Sequence, residues 1–467
     1  MRAWSRGIAA LALIATSLTG FAVAEVATAP EAEALQATGG AARFKAIEWI
    51  SWGSVAGEQI SNSGKTVTET STIAGQTLAV TCSVKNIGRT RGTGSGSLLE
   101  AYRPGTWRGD GFDELYNRGG TGTANQMIVG LSNRTTANTV EFDFACSATL
   151  GGAPFPLSGL VMADAESSGG DTEHVAATIP RTNPANSLPT TWRILDRIRG
   201  GACTLTATAR RTETGTAAAG TNRLEMYGPA TNSCENNAAE YPGPSAIAFM
   251  ENATSATKVT VAGGGKSAIA LGVALDFDFG DAPLSYGEAV AGTQFNYVGG
   301  EVPLTTVPFS TTQRGTNLQT LALAELSAPS PRLGENTDGE LSQPYGAAAD
   351  GDDAAPVAGP DDEDAITALG TRLVTPGQTF TVDVACRRNA AVGGQVAGWI
   401  DWNLNGSFDA AERSAVVACP GAGSVQLSWT IPNDVLSSGG TKATYLRLRI
   451  AADNETPGAR PTSTPPG

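Results

Sequence analysis

Hydrophobic and polar residues alternate along most of the chain at a period of two, the pattern of β-strands whose successive side chains face opposite sides. The stretch TVEFDFACSATL (139–150) places its valine and two phenylalanines on one strand face. Near the carboxyl end, TYLRLRIAAD alternates arginines with leucine and isoleucine. We expect Arg447 and Arg449 on a solvent-facing side of this strand and the aliphatic residues on a buried side.

The strand patterns form two blocks, which predicts an all-β chain with one β-sandwich followed by a second, smaller β-sandwich domain. The first block covers 41–282 and the second covers 350–467. Between them, 283–349 is rich in Pro, Gly, Ser and Thr and is predicted to be an irregular connector. One departure from the strand pattern is TTWRILDRI (190–198), which favours a short helical turn.

Residues 1–24 have the pattern of a secretory signal peptide. Two arginines precede an apolar run that ends in Ala-Val-Ala at 22–24, a small-residue cleavage site. We expect a loose leader over 25–40 and no membrane insertion after cleavage, because no later run is long and apolar enough to span a bilayer. The expected location is therefore outside the cytosol, either secreted or at the cell surface.

The composition agrees with short strands joined by tight turns. The 467 residues include 57 Gly and 25 Pro, and 41% of the residues are hydrophobic, so the chain can form cores. The net charge of −14 disfavours nucleic acid and anionic membrane surfaces as partners. The acidic groups either serve solubility alone or offer oxygen ligands for calcium. Both interpretations also apply to the acidic run at 350–366.

Six cysteines in an exported chain predict disulfides, and their spacing includes no C-x-x-C pair that would favour zinc or redox chemistry. Cys386 and Cys419 lie far from the other four and are expected to pair with each other. The other four permit three pairings, of which Cys82–Cys146 with Cys203–Cys234 is preferred.

Catalytic signals are sparse. His174 is the only histidine, no G-x-S-x-G elbow accompanies it, and a zinc motif with two histidines is excluded. A surface or partly packed histidine is the expectation. Paired carboxylates remain an alternative, because Asp164, Glu166, Asp171 and Glu173 lie on one acidic loop that suits either a glycosidase or a ligand-binding loop. The stretch GGGKS (263–267) lacks the full phosphate-loop spacing and is predicted to be a turn between two strands.

The strongest chemical motif is GWIDWNLNGSFDAAE (398–412), which fits the spacing of a calcium-binding loop. Glycine at position 406 stands where that loop turns sharply, and the candidate calcium ligands are Asp401, Asn403, Asn405, Asp409 and Glu412. An EF-hand needs flanking helices, which the sequence does not predict here. The alternative is a β-hairpin whose turn is the Asn-Gly pair. If calcium binds, two asparagines among the ligands predict weak affinity, about 10⁻⁴–10⁻³ M.

The C-terminal part resembles the GEVED domain of bacterial secreted and surface proteins. The resemblance rests on these stretches in order: DFGDAPLSYG, PRLGENTDGE, ADGDD with DDEDAI, GWIDWNLNGSFDAAE and YLRLRIAAD. The motif Gly-Glu-Val-Glu-Asp that names the family is absent. We therefore expect either a truncated domain or a protein that continues beyond Gly467.

The N-terminal part resembles the non-repetitive, lectin-like domain of CshA-type surface adhesins. The resemblance rests on IEWISWG, LSGLVMADAESS and the long stretch from Ser245 to Pro283. It implies a lectin-like β-sandwich that binds ligands and has no catalytic residues to transfer.

These observations predict an adhesin-like binding protein that recognises a glycan or an extracellular protein on a host or neighbouring cell, without catalysis. Loops carrying Asp164 and Glu166 are the candidate ligand contacts, and calcium is the candidate cofactor. Two alternatives remain: a secreted polysaccharide-active hydrolase and a purely structural stalk.

Overall fold

The computed structural model describes a large part of the chain, and the account below is restricted to it. The described residues are 35–36, 47–73, 75–103, 130–134, 138–165, 173–199, 201–229, 234, 244–275, 277–279, 282–287, 290–292, 296–308, 310, 314–327, 331–334, 365–366, 369, 371–388, 393–433 and 442–451. The predicted signal peptide and the acidic run, apart from Ala365 and Ile366, lie outside these residues.

The strands up to residue 274 build one domain. They are β1 (Leu35–Gln36), β2 (Ile47–Trp49), β3 (Gln59–Ile60), β4 (Lys65–Ile73), β5 (Gln76–Arg91), β6 (Leu99–Tyr102), β7 (Gly130–Asn133), β8 (Thr139–Leu150), β9 (Ala153–Phe155), β10 (Gly159–Asp164), β11 (His174–Pro180), β12 (Thr191–Ile198), β13 (Thr208–Thr214), β14 (Thr221–Tyr227), β15 (Ser245–Glu251), β16 (Ser255–Ala262) and β17 (Ala268–Ala274).

The remaining strands follow residue 274. They are β18 (Phe277–Phe279), β19 (Val290–Gly292), β20 (Asn296–Gly299), β21 (Thr316–Asn317), β22 (Ala324–Ser327), β23 (Arg332–Leu333), β24 (Thr379–Arg387), β25 (Gln395–Ile400), β26 (Val417–Ala418), β27 (Ala422–Thr430) and β28 (Leu446–Ala451). Two 3₁₀ turns span Leu284–Tyr286 and Ala410–Glu412.

Two antiparallel sheets pack face to face in the first domain, which confirms the predicted β-sandwich. In the first sheet the order is β12-β15-β10-β17-β7-β6-β3, with β2 beside β17 and β1 beside β2. In the second sheet it is β21-β13-β14-β11-β16-β8-β5-β4, with β9 beside β8. The pairing of β1 also shows that part of the predicted loose leader is a strand, because its backbone bonds to β2.

The core between the sheets follows the predicted alternation. Strand β8 buries every second residue, including Val140, Phe142 and Phe144. Trp52 and Trp192 are fully buried in the same cluster. Side chains from both sheets meet there, so one apolar layer holds the domain together.

The first sheet is also covered on its outer face. Strands β10, β15 and β17 are buried along their whole length, where a half-exposed strand would alternate. A second apolar cluster lies on this face and includes Trp49, Phe249 and Tyr297. Tyr297 belongs to β20, so chain beyond the predicted domain boundary contributes to the cover.

The predicted irregular connector is wrong at three short segments, 296–299, 316–317 and 324–327, which form strands. Strands β20 and β22 pair as a hairpin, and β21 extends the second sheet beside β13. Val302 and Leu318 are buried in the core between the sheets. The composition was misleading because each segment is only two to four residues long and buries single apolar side chains at the open edge of the sandwich.

The predicted helical turn at 190–198 is also wrong, because 191–198 is strand β12 paired with β15 along its length. The register shifts between Ile194 and Asp196, which places Ile194 and Leu195 in different apolar clusters. A bulge of this kind breaks the period of two and produces spacing that imitates a helix.

The second domain is a smaller β-sandwich, as predicted. Its sheets are β23-β24-β27 and β26-β25-β28. Val384, Leu427 and Trp429 from one sheet meet Val396 and Ile400 from the other in one cluster.

Three disulfides join the pairs that the sequence analysis preferred or expected. Cys82–Cys146 links register partners on β5 and β8, with 4.1 Å between their Cα atoms. Cys203–Cys234 lies in the first domain and Cys386–Cys419 in the second. No cysteine is free.

Glu48 is an unusual buried acid on β2. It is 3% exposed, and burial raises the pKa of its carboxyl to about 7, with a further contribution from the charge of Glu69. Glu69 itself accepts a hydrogen bond from the backbone N–H of Ser51. The folded state therefore favours the protonated form of Glu48.

We predict that Glu48→Gln stabilises the first domain at pH 8 and changes little at pH 4. The folded pKa lies above the ordinary value of 4.5, so the stabilising contribution is complete below pH 4.5 and is lost as pH rises through about 7. The gain at pH 8 is at most about 3 kcal/mol. Urea unfolding at the two pH values measures it, and an equal effect at both would contradict the prediction.

Candidate functional site

The candidate calcium loop lies within a β-hairpin. Strands β25 and β26 pair antiparallel, and a bridge between Trp399 and Arg413 continues the pairing towards the loop. The 3₁₀ turn Ala410–Glu412 lies at the end of the loop, just before Arg413. Among the described residues, no α-helix flanks the loop. The loop therefore joins two antiparallel strands without helices, but it runs from 401 to 416, and the prediction that the Asn-Gly pair forms the hairpin turn is wrong, because Asn405 does not have a positive φ. Gly406 has φ +80°, the left-handed conformation expected at the sharp turn.

Asp401 organises this loop. Its side chain is fully buried, and Oδ1 accepts a hydrogen bond from the N–H of Asn405 at 3.1 Å. Oδ2 accepts from the N–H of Gly406 at 3.0 Å and from the hydroxyl of Tyr286 at 2.8 Å. Burial of the tyrosine and its bond to Asp401 raise the pKa of Tyr286 above its ordinary value. Three donors thus compensate one buried carboxylate.

Glu412 closes the other side of the loop. Its carboxylate accepts hydrogen bonds from the N–H groups of Trp402 and Asp409, both at 2.9 Å. Burial raises the pKa of Glu412, and the charge of Asp401 acts in the same direction. The side chain is 4% exposed, whereas Asn403, Asn405 and Asp409 are exposed.

The structure therefore brings the five predicted ligands into one loop, but their oxygens already accept hydrogen bonds. Asn405 Nδ2 donates to Asp409 Oδ2 at 3.0 Å, and Asn403 Oδ1 accepts from the N–H of Asn405 at 2.9 Å. Across the described residues, no group of three or more His, Cys, Asp or Glu side chains is arranged to hold a metal. The oxygen types suit calcium, and calcium binding by this loop stays a prediction.

Asp164 ends strand β10 at one end of the first sandwich. It is 6% exposed, and its carbonyl oxygen accepts a hydrogen bond from the hydroxyl of Ser245 at 3.0 Å. Glu166 lies outside the described residues. The pairing of these two carboxylates stays a prediction, and the burial of Asp164 makes it a poor direct ligand contact.

The predicted GGGKS turn joins β16 to β17 at the same end. Its N–H groups at Gly264 and Gly265 both donate to Glu173 Oε1, at 3.0 and 2.9 Å. Lys266 forms an ion pair with Glu100. Consecutive backbone N–H groups in such a turn attract anions, and here the anion is a carboxylate of the chain itself.

A group of polar side chains that the sequence analysis did not single out as a site lies on the outer face of the second sheet. We name it the outer-face cluster, and its members are His174, Arg210, Arg223, Glu225 and Tyr227. Tyr227 lies opposite His174 in the register, with ring centroids 4.9 Å apart, and Glu225 lies opposite Arg210. Four of the members are half-buried, and Tyr227 is 7% exposed.

Arg223 holds this cluster together. Its Nε donates to Glu225 at 3.0 Å, and its Nη atoms donate to Thr178, Thr260 and the carbonyl of Lys258, each at 3.2 Å. The side chain thus crosses β11 from β14 to reach β16. The hydroxyl of Tyr227 donates to Glu225 at 2.9 Å. The side chains of the cluster are therefore held in place by contacts within the chain.

The neighbours of Glu225 keep its carboxylate ionised despite its partial burial. Burial opposes ionisation of Glu225, but hydrogen bonds from Arg223 and Tyr227, with the charge of Arg223, hold the pKa of Glu225 below its ordinary value. The alternation in TNRLEMY indicates that Arg223, Glu225 and Tyr227 share the outer face of the sheet, because Leu224 and Met226 between them face the core. Hydrogen bonding across β14, β11 and β16 depends on the register of these strands, which that alternation alone does not specify.

Comparison with known sequence families gives two matches. Residues 45–274 match "Surface adhesin CshA non-repetitive domain 2", and 395–466 match the GEVED domain. The chain carries a CshA non-repetitive domain followed by a GEVED domain. Curated proteins and solved structures give no match.

The outer-face cluster lies within the matched part of the CshA domain, and the loop around Asp401 lies within the matched part of the GEVED domain. The residues at 296–327, which complete the first sandwich, lie beyond the CshA match. The described residues include no helix with the length and apolar character that a membrane span requires.

We predict that Asp401→Asn lowers the stability of the GEVED domain by about 2–3 kcal/mol, because the amide cannot accept all three bonds of a buried carboxylate. Denaturant unfolding followed by tryptophan fluorescence measures the loss, since Trp399, Trp402 and Trp429 lie in this domain. The matched control is Asn403→Ala, which removes an exposed acceptor and costs under about 1 kcal/mol. Equal losses in the two variants would contradict the role given to Asp401.

Proposed function

We propose that this chain is an exported, cell-surface adhesin-like protein whose CshA domain binds a glycan or an extracellular protein, without catalysis. Membership of a surface-adhesin domain family supports a surface role. The partner would lie on a host or neighbouring cell. The predicted signal peptide at 1–24 agrees with export.

The observation that carries the proposal is the outer-face cluster. Arginine is enriched among the residues that dominate the energetics of recognition surfaces, because it combines contact area with directed hydrogen bonds. Here the half-buried Arg223 stands on paired strands and its conformation is fixed by Glu225, Thr178 and Thr260, while the buried Tyr227 supports Glu225 from within the sheet face. Ordering Arg223 on binding therefore costs little conformational entropy.

The predicted contact loop around Asp164 and Glu166 remains part of the proposal as a second contact region. Strand β11 begins at His174, next to that loop in the sequence. A ligand on the outer-face cluster would therefore lie near the end of the sandwich where this loop leaves β10.

The hydrolase alternative needs two accessible carboxylates a fixed distance apart. Asp164 is almost buried, and Glu225 is held ionised by Arg223 and Tyr227, so it is a poor proton donor. The stalk alternative makes no use of the outer-face cluster. Binding without catalysis is the function that the described geometry supports best.

We predict that the mature chain binds at least one member of a panel of glycans and extracellular matrix proteins, and that Arg210→Ala weakens this binding about tenfold or more. Arg210 contributes to the cluster through Glu225, at 4.0 Å, without crossing the sheet as Arg223 does. Surface plasmon resonance measures the loss.

The matched control is Arg181→Ala. Arg181 is another half-buried arginine with a glutamate partner, Glu213, and follows the end of β11, about 17 Å along the strand from the level of Arg210 and about 10 Å from that of Arg223. Arg181→Ala is expected to keep the binding affinity within about twofold of that of the unaltered chain. Glu166→Gln reports separately on the loop. Release of soluble sugar would favour the hydrolase, and a chain that binds nothing on the panel would favour the stalk.

A further inference from the structure

The covalent passage between the two domains is short. Strand β22 ends at Ser327 and pairs with β20 on the CshA sandwich, whereas β23 begins at Arg332 and pairs with β24 in the GEVED domain. Only 328–331 lie between these two strands. A single passage of this kind would leave the two domains free to rotate relative to each other.

A second connection comes from an earlier part of the chain. Strands β18 and β19 pair as a hairpin whose base belongs to the CshA sandwich. Phe277 at this base is fully buried and stacks on Phe155 at 4.9 Å. The 3₁₀ turn Leu284–Tyr286 lies between the two strands, and its Tyr286 contacts the GEVED domain.

Tyr286 enters a socket on the GEVED domain, which we define as Asp401, Phe408, Tyr445 and Arg447. Its ring lies 4.8 Å from Phe408 and 4.9 Å from Tyr445, measured between centroids. Its hydroxyl donates to the buried Asp401 carboxylate at 2.8 Å. The contact thus combines aromatic packing with a hydrogen bond to a charged acceptor.

Arg447 holds the backbone of the same turn. Its Nη2 donates to the carbonyl of Gly287 at 2.9 Å and its Nη1 to the carbonyl of Tyr286 at 3.4 Å. The guanidinium lies 4.7 Å from the Phe408 ring centroid. This corrects the sequence expectation for Arg447, which is 6% exposed because the turn covers it. Burial lowers the pKa of Arg447 to about 10, and the charge of Arg449 contributes.

The socket and the loop around Asp401 depend on each other. The carboxylate that accepts from Tyr286 also accepts from the N–H groups of Asn405 and Gly406. Phe408, which packs on Tyr286, belongs to the same loop. Withdrawal of Tyr286 therefore removes one of the three donors that hold Asp401 and uncovers the ring beside it.

We propose that Tyr286, Gly287 and their socket form a latch that fixes the orientation of the GEVED domain relative to the CshA domain. With the covalent passage at 328–331 it makes a joint with two points of attachment. When the latch opens, the orientation of the GEVED domain is no longer fixed by Tyr286 and the loop around Asp401 loosens. The occupant of the socket is this chain's own turn, so the device needs no ligand.

The test compares Tyr286→Ala and Tyr286→Phe with the unaltered mature chain. Small-angle X-ray scattering of Tyr286→Ala is expected to show a larger radius of gyration and a broader range of interdomain distances. Hydrogen exchange at the amides of Asn405 and Gly406 is expected to accelerate about tenfold, the effect of losing one hydrogen bond to a charged group. Tyr286→Phe keeps the ring and is expected to show the exchange effect with little change in scattering.

Tyr297→Phe is the matched control, because Tyr297 packs on Phe249 inside the first domain and makes no part of the socket. It leaves both readouts unchanged. Scattering and exchange in Tyr286→Ala that equal those of the unaltered chain would overturn the proposal. Should Tyr286→Ala unfold the GEVED domain, Tyr286→Phe decides alone, and unchanged exchange at Asn405 and Gly406 would overturn it.

Discussion

The structure depends on one constraint, which is that the central strands of the first sheet are apolar on both faces. Strands β10, β15 and β17 leave no side for water, so each face needs its own cover. The second sheet covers the inner face, and Tyr297 and Ala324 contribute to the cover of the outer one. The chain that follows β17 therefore returns to the sandwich before it enters the GEVED domain. The short passage at 328–331 is a consequence of this return.

Much of the fold was predictable because alternation at a period of two reports directly on strands with one buried face. Strands β5 and β8 and the strands of the GEVED domain were recognised in this way. The wrong predictions concern segments in which hydrophobic and polar residues do not alternate at a period of two. Strand β12 carries a bulge that breaks its period, and the segments at 296–327 are too short to show any period. Their positions follow from the open edge of a sandwich built by distant residues, which no local pattern encodes.

The candidate sites were predictable to a different degree. The loop around Asp401 was predictable because its ligand types and spacing are local, and Gly406 has the positive φ that the motif requires at its sharp turn. Arg447 was misplaced because its cover comes from Tyr286, which is 161 residues away in the sequence. The outer-face cluster was missed for a similar reason. Arg223 lies beside Thr178 only through the pairing of β11 with β14, and a single strand contains no information about its neighbour.

Each disulfide closes a loop within one domain, over separations of 64, 31 and 33 residues. All six cysteines are used in this way, so no covalent cross-link joins the two domains. A pulling force along the chain cannot lengthen the segments inside those loops while their bonds remain oxidised. The contacts of Tyr286 and Gly287 with the GEVED domain, by contrast, are hydrogen bonds and ring contacts that break under load. While the disulfides stay oxidised, force lengthens only the segments outside the three loops, and the boundary between the two domains is one of these segments.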